Sequence, residues 1–360
     1  MKNHKDIILF LNISFITNRR ILYFIEENLL DNFLYLNEKS LKETEFLTDE
    51  EKDRLLVNLG KVNLDMVKNR LYSQNIKYVT ILDENYPKRL NNIFDPPAIL
   101  YYRGNLEKLR NPIAVVGARK ATDYGIWATN KIISELRGYD ISIVSGMALG
   151  IDRAAHIASI KNKLFTAGVI ASSIDVQYPK RNRDLYQQMQ DNLLLSEYAF
   201  DIEPLRRNFV IRNRIISGLS LGVLVVEANE SSGSLITASF AIEQNKDVFA
   251  VPGNISSLSS QGPNMLIAKG ASIITSGKDL INQLPFIKES TKVNNIQLNN
   301  LNLTMEEIKV YELLKVNILG VDDLIKLTNL SISSLYVILT KLEMNRLVDR
   351  LPSGKYSLKI

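Results

Sequence analysis

Between Pro112 and Thr275 the chain alternates short apolar runs with stretches of helical character. The runs fall at 113–116, 141–144, 165–171, 193–195, 223–226, 248–251 and 272–275. In 223–226 valine and leucine follow one another without a polar residue in between, as in a strand covered on both faces. Parallel strands cannot be joined by tight turns and need crossovers of a dozen or more residues, usually helical. The pattern therefore predicts an α/β fold with a Rossmann-like, doubly wound parallel sheet. In such a sheet ligands bind beyond the carboxyl ends of the strands, so the residues after each run are the functional candidates.

The richest of these segments is 205–237, read in order as a basic-aromatic loop, a short helix, a buried strand, a polar turn and a second helix. Arg206, Arg207, Arg212 and Arg214 fall within nine residues without an acid among them, around Asn208 and Phe209. The strand ends in Glu227, and Ser231-Ser232-Gly233-Ser234 opens the next helix, whose free N–H groups would attract an anion. Cations, a stackable ring and amides at one sheet edge suit a nucleic-acid backbone better than a small metabolite.

After the first run, Val116-Gly117-Ala118-Arg119-Lys120 combines a tight turn with two cations. G-x-G-x-x-G is missing there, which disfavours NAD, and no cofactor is expected. The second run leads into Ser145-Gly146-Met147, where glycine would let a backbone approach closely. Asp152 and His156 are one helical turn apart, open to an acid–base pair or to a hydrogen bond that positions the helix. Gly218-Leu219-Ser220-Leu221-Gly222 matches G-x-S-x-G, but a nucleophile elbow follows a strand and opens a helix, and here the order is reversed. No G-x-x-x-x-G-K-[ST] phosphate loop occurs.

The flanks differ from the centre. Residues 1–75 carry apolar residues at helical spacing, and Thr48-Asp49-Glu50-Glu51 reads as a helix start, giving a small helical (SAM-like) domain that docks on the rest or touches DNA, or else is a purely structural bundle. The opening MKNHK-IILFLNISFI imitates a signal peptide. Asn12 and Ser14 break it, and Arg19-Arg20 follow, so the expectation is an amphipathic helix of a cytoplasmic protein without a membrane span. Residues 76–110 read as a connector with two short strands around Asp95-Pro96-Pro97, before a core at 111–285. Residues 286–303 read as a linker. Residues 304–360 outline a winged helix, suited to DNA, to protein contact or to dimerisation. With 360 residues, a net charge of +5 and no cysteine, the chain has room for several domains and permits a polyanionic partner. It has no disulfide and no thiolate nucleophile.

The runs VGARK, SGMALGIDRAAH, IDVQYPKRNR, LLSEY, NFVIRNRIISGLSLGVLVVEA, SGSLITA and VFAVPGNI resemble, in order and spacing, the DprA/Smf family of DNA-processing proteins. The resemblance is strong over residues 76–285. It implies a core that binds and protects single-stranded DNA, dimerises and loads the RecA recombinase during natural transformation, and it implies a binding protein rather than an enzyme. By position, Arg119 and Arg206 match phosphate contacts and Phe209 a base-stacking ring. Arg212 and Arg214 either touch DNA or brace the site against acids such as Glu227. The expected interface is Arg119, Lys120, Gly146, Arg206, Asn208, Phe209, Arg212 and Arg214. Several positions depart from the family: Ala171-Ser172-Ser173 replaces a glycine-rich turn, Leu149 an arginine, Arg207 a glycine, Arg181 an acid and Val210 a proline. The lost glycines argue against close backbone–phosphate contact at 171–173, whereas Arg207 and Arg181 offer added cations. Two other classes stand beside this reading. One is a nucleotide-processing enzyme using Glu227 and the serines at 231–234; the other is a transcriptional regulator acting through the winged helix.

Overall fold

The computed structural model describes residues 3–33, 44–287, 303–345, 347–351 and 353–358. The N-terminal region forms helices α1 (His4–Ile13), α2 (Asn18–Glu26), α3 (Leu30–Phe33), α4 (Asp49–Lys61) and α5 (Leu64–Ser73). Thr48 caps α4 reciprocally with Glu51, as the acidic start suggested. In α1 the run from Ile7 to Leu11 is wholly buried, and no helix among the described residues is long and apolar enough to cross a membrane.

The strands are β1 (Lys77–Thr80), β2 (Ile99–Gly104), β3 (Pro112–Val116), β4 (Ser142–Ser145), β5 (Phe165–Val169), β6 (Leu193–Ser196), β7 (Gly222–Val225), β8 (Asp247–Ala250) and β9 (Ser272–Ile273). They form one sheet in the order β1-β2-β6-β5-β4-β3-β7-β8-β9, and β6 to β9 of that order are parallel. Between them lie α6 (Asp123–Glu135), α7 (Ile151–Lys161), α8 (Arg183–Gln188), α9 (Arg206–Leu219), α10 (Gly233–Glu243), α11 (Gln261–Ala268) and α12 (Gly277–Asn282).

The lack of alternation in the strands has a direct cause. Ala114, Val144, Val223 and Val225 face α9 and α10, while Ile113, Val115, Ile143 and Leu224 face α6 and α7. Both faces are covered, so both sets of positions must be apolar. Residues 76–110, expected to be a connector with two short strands, do carry two strands, and both are part of this sheet. β2 pairs antiparallel with β6 and with β1, and Ile99 to Tyr102 are buried, so the pair covers an edge that β6 would otherwise expose.

The N-terminal helices share their core with the sheet. Ile7, Phe10, Phe24 and Leu55 belong to the same apolar cluster as Tyr101, Met147, Ile170 and Leu194. Tyr101 donates its hydroxyl to Asn12 at 2.8 Å, and Lys68 meets Asp6 at 2.6 Å. The described part of residues 1–75 is thus docked on the rest of the chain, as a layer on the core.

An ion triad, with Arg214 and Glu197 buried and Asp95 half-buried, links three parts of the chain. Arg214 on α9 donates from Nε to Asp95 at 2.9 Å and from Nη2 to Glu197 at 2.5 Å. Burial works to lower the Arg214 guanidinium, but Glu197 and Asp95 together raise it above its ordinary value. Burial pushes the Glu197 carboxyl up, against the pull of Arg214. On α7, His156 is fully buried and its Nδ1 bonds Thr166 Oγ1 at 2.7 Å, so no pair with Asp152 forms. Burial, with the charge of Arg212, holds this imidazole down to about 3.

Past the expected linker, of which 288–302 lie outside the described residues, come α13 (Met305–Val316), α14 (Val321–Thr328), α15 (Ile332–Met344) and the hairpin β10 (Val348–Arg350) and β11 (Tyr356–Leu358). This is a winged helix with its own core. Lys341 on α15 is taken up by Glu307 at 2.7 Å, and the outer face of α15 shows Ile332, Tyr336, Val337 and Met344.

Two outcomes follow for stability. Arg214→Ala strands the buried Glu197 charge and is expected to cost about 3–5 kcal/mol in urea unfolding, with partial recovery when Glu197→Gln is added. A loss below about 1 kcal/mol would show that the triad does not hold the sheet. Because the folded His156 resists protonation, its contribution is complete above pH 6.5 and is lost as pH falls toward about 3. The slope of unfolding free energy against pH in that window should be shallower for His156→Gln than for the wild type.

Candidate nucleic-acid interface

The sheet order reverses direction between β3 and β7, since the chain runs from β3 through β4 to one side and returns to β7 on the other. A groove of about 960 Å³ opens at the carboxyl ends of these strands, where a doubly wound sheet has its natural crevice.

One wall is α9. The segment expected as a basic loop is helical from Arg206 onward, with the Asn208 N–H donating to Leu205 O. A helix brings residues three and four apart to one face, so Arg206, Phe209, Val210 and Asn213 line the groove together. Arg119 and Lys120, just past β3, form the facing rim and are exposed. The Arg119 guanidinium lies 5.1 Å from the Phe209 ring centroid, within cation–π range. Tyr178 brings a second ring, 5.7 Å from Phe209 at 60°. Phe209 is thus only half buried, in a cationic setting rather than in the core.

The floor beneath Phe209 is Arg212. Its Nη1 donates to the Gly146 carbonyl at 2.8 Å and to the Val169 carbonyl, and its Nε to Asn213 at 3.2 Å. Burial lowers this guanidinium to about 10, so it remains charged at neutral pH. Asp152 supplies the opposing charge and accepts from the N–H groups of Gly146 at 3.1 Å and Ala148 at 3.3 Å. Burial raises the Asp152 carboxyl, against the pull of Arg212.

The third wall is the start of α10. Ser232 caps the helix through Ser234, and Ser232, Gly233 and Ser234 line the groove with Asn229. A helix start facing the groove offers positive potential to a phosphate.

Of the eight expected contact residues, Arg119, Lys120, Arg206 and Phe209 come together on the groove surface. Arg212 reaches the groove only as its buried floor. Three others lie beneath that surface. Gly146 is buried, with its N–H on Asp152 and its carbonyl on Arg212. A Cβ there would meet Asp152 at 2.7 Å and Arg212 at 2.8 Å, so glycine is what this packing admits. Asn208 is buried with its side chain on Glu203 O at 3.4 Å. Arg214 is enclosed by Asp95 and Glu197, which makes it a brace, though its partners are not Glu227.

Glu227 is itself saturated. It accepts from Thr122 N at 2.9 Å, Thr122 Oγ1 at 2.5 Å and Ser259 Oγ at 3.1 Å, joining the start of α6 to the loop after β8. Gly125 allows this approach, because a Cβ there would meet Glu227 Oε2 at 2.3 Å. The hydroxyls in Ala171-Ser172-Ser173 are also used internally, with Ser172 Oγ on Val176 O and Ser173 Oγ on Ile202 O.

The sequence reading missed Tyr178 and Asn213. Tyr178 had a signal, an aromatic residue after the third parallel strand and before Pro179, but its proximity to Phe209 depends on the Tyr186 hydroxyl, which donates to Tyr178 O at 2.9 Å. Asn213 had none, because its role follows from the helical phase of α9.

Comparison with known proteins identifies the family. A family model described as DNA recombination-mediator protein A matches residues 77–285, and one for the DprA winged helix domain matches residues 299–354. The DNA processing protein DprA of Streptococcus pneumoniae is 46% identical over 209 residues, 58% of this chain and 74% of its own length. That of Bacillus subtilis is 44% identical over 215 residues, 59% of this chain and 72% of its own. The X-ray structure of the Streptococcus pneumoniae protein superposes with a TM-score of 0.71 at 37% identity, over 79% of this chain and 99% of that one. A structure of Helicobacter pylori DNA processing protein A, described for its unique single-stranded DNA binding mode, gives 0.53 at 33% identity over 58% and 96%. With its core and its winged helix both matched, the chain belongs to the DprA/Smf family of DNA recombination mediators.

Proposed function

We propose that this chain binds single-stranded DNA in the groove between α9, the turn after β3 and the start of α10, and that it does so largely independently of sequence. The observation that carries this reading is Phe209 held half exposed under Arg119, beside Arg206 and Lys120. A ring accepts any base on its face, and cations follow the phosphates without reading sequence. The single-strand binding mode described for the Helicobacter pylori relative supports the same partner.

On this reading the protein is a cytoplasmic, homodimeric mediator that protects incoming strands and loads the RecA recombinase onto them during natural transformation. The winged helix serves protein contact, since α15 shows Ile332, Tyr336, Val337 and Met344 outward and its Lys341 is already paired. The role is binding rather than catalysis. Glu227, the acid–base candidate of a nucleotide-processing enzyme, has its oxygens occupied by Thr122 and Ser259 and is only 1% exposed. A transcriptional regulator would need a cationic reading helix, which α15 is not.

The test is fluorescence anisotropy with labelled single- and double-stranded oligonucleotides across a salt series. Wild-type protein should favour the single strand. Phe209→Ala should weaken it by about 1–3 kcal/mol, about 5- to 150-fold. Arg206→Ala should weaken all sequences alike and lower the salt slope by about 0.7. Thermal unfolding should be unchanged for Arg206→Ala. Equal binding by wild type and both variants would remove the site, and negligible binding to either DNA form at low salt would remove the function.

A further inference from the structure

Among the described residues the most exposed large apolar side chain is Phe94, at 99%. It lies in the bend after the short 3-10 helix Lys88–Asn92. The backbone there is pinned on both sides. Ile93 is buried and, with Leu90, lies so close to Gly218 of α9 that a Cβ there would meet both. Asp95 holds Arg214 of the same helix at 2.9 Å. Phe94 is therefore fixed against the flank of α9 with its ring in water. Burying a phenyl ring is worth about 1.5–3 kcal/mol, so a ring anchored in this way forgoes stabilisation that a partner would restore.

Helical geometry connects this ring to the groove. Arg206, Arg207, Val210 and Ile211 form the exposed arc of α9. Arg206 and Val210 are shared with the groove lining, whereas Arg207 and Ile211 turn to the other side. The same side continues through Arg214 and Gly218, where the 93–95 bend covers it. From Arg206 to Arg214 the axis advances about 12 Å. Cations lie at both ends: Arg206 and Arg207 at the start, and the exposed Lys88 and Arg89 beside the bend. Asp95 and Glu197 share the one guanidinium of Arg214, so a single negative charge is left over against the exposed Arg206, Arg207, Lys88 and Arg89.

We propose that the single strand leaving the groove crosses α9 at Val210 and continues to Phe94, which stacks on a further base while Arg207, Lys88 and Arg89 take phosphates. The inference rests on the single-strand reading of the groove and extends it to a second stacking platform. An aromatic platform flanked by cations is the arrangement that holds an extended strand without sequence preference. Continuity with the groove and the sign of the flanking charge favour this partner over an apolar protein surface.

Anisotropy with oligo-dT of about 4 and about 16 nucleotides, the span of single-strand site sizes, tests it on the full chain. Phe94→Ala should weaken the longer oligonucleotide by about 5-fold or more and leave the shorter one unchanged. Arg207→Ala should show the same dependence on length. Phe94→Trp should change its emission with the longer oligonucleotide only, after subtraction of the wild-type signal from Trp127. Wild-type affinity of Phe94→Ala for both lengths, or an equal loss for both, would overturn the proposal, as would an indifferent Phe94→Trp. A wild-type protein that binds neither length fails at the groove itself, and that result is separate from a failure at Phe94.

Discussion

Arg212 is the side chain on which the groove depends. Its guanidinium leaves α9, passes under Phe209 and ends on the carbonyls of Gly146 and Val169, which terminate two neighbouring parallel strands. Those carbonyls lack strand partners at the sheet end, and a buried acceptor left unmade costs about 1–3 kcal/mol. The cation satisfies them and is balanced by Asp152, which in turn collects the Gly146 and Ala148 N–H groups. A closed set of charges and dipoles thus replaces what would otherwise be an open, anion-seeking turn. The ring of Phe209 and the free cation of Arg119 stand on that floor.

The arginines in this region divide by helical phase rather than by proximity in sequence. Arg206 faces the groove and Arg207 the opposite flank, while Arg212 goes into the floor and Arg214 into a triad with Asp95 and Glu197. A guanidinium shared by two carboxylates has no positive charge left over, so Arg214 contributes geometry rather than attraction for DNA. The exposed pair carries the long-range field. This separation lets one helix be both the most cationic element of the chain and a rigid wall.

The flanking parts support the same arrangement in different ways. The hairpin of β1 and β2 closes the sheet edge, and its 93–95 bend clamps the outer side of α9. The N-terminal helices form a layer against the β2 and β6 end of the sheet, fastened by Asn12 to Tyr101. The winged helix keeps its own core, and α15 turns Ile332, Tyr336, Val337 and Met344 outward. The proposed nucleic-acid groove lies at the switch point of the sheet, where strand ends, a helix start and cations converge for topological reasons.

Much of this was legible in the residues. Apolar runs without alternation announce strands covered on both faces, and their spacing announces crossover helices, because burial and chain connectivity act locally enough to mark composition. The position of Arg119, Lys120, Arg206 and Phe209 after strands could be read for the same reason. The partners of the remaining residues could not. Gly146 and Arg212 are 66 residues apart, and Asp95 and Arg214 are 119 apart. Nothing in a local pattern distinguishes an arginine that will face solvent from one that will be enclosed. The sequence determined the sheet, its order of chemistry and the cationic character of its edge. Only the tertiary structure decided which cations stay free, because that depends on which distant carboxylates and carbonyls the fold brings within hydrogen-bond reach.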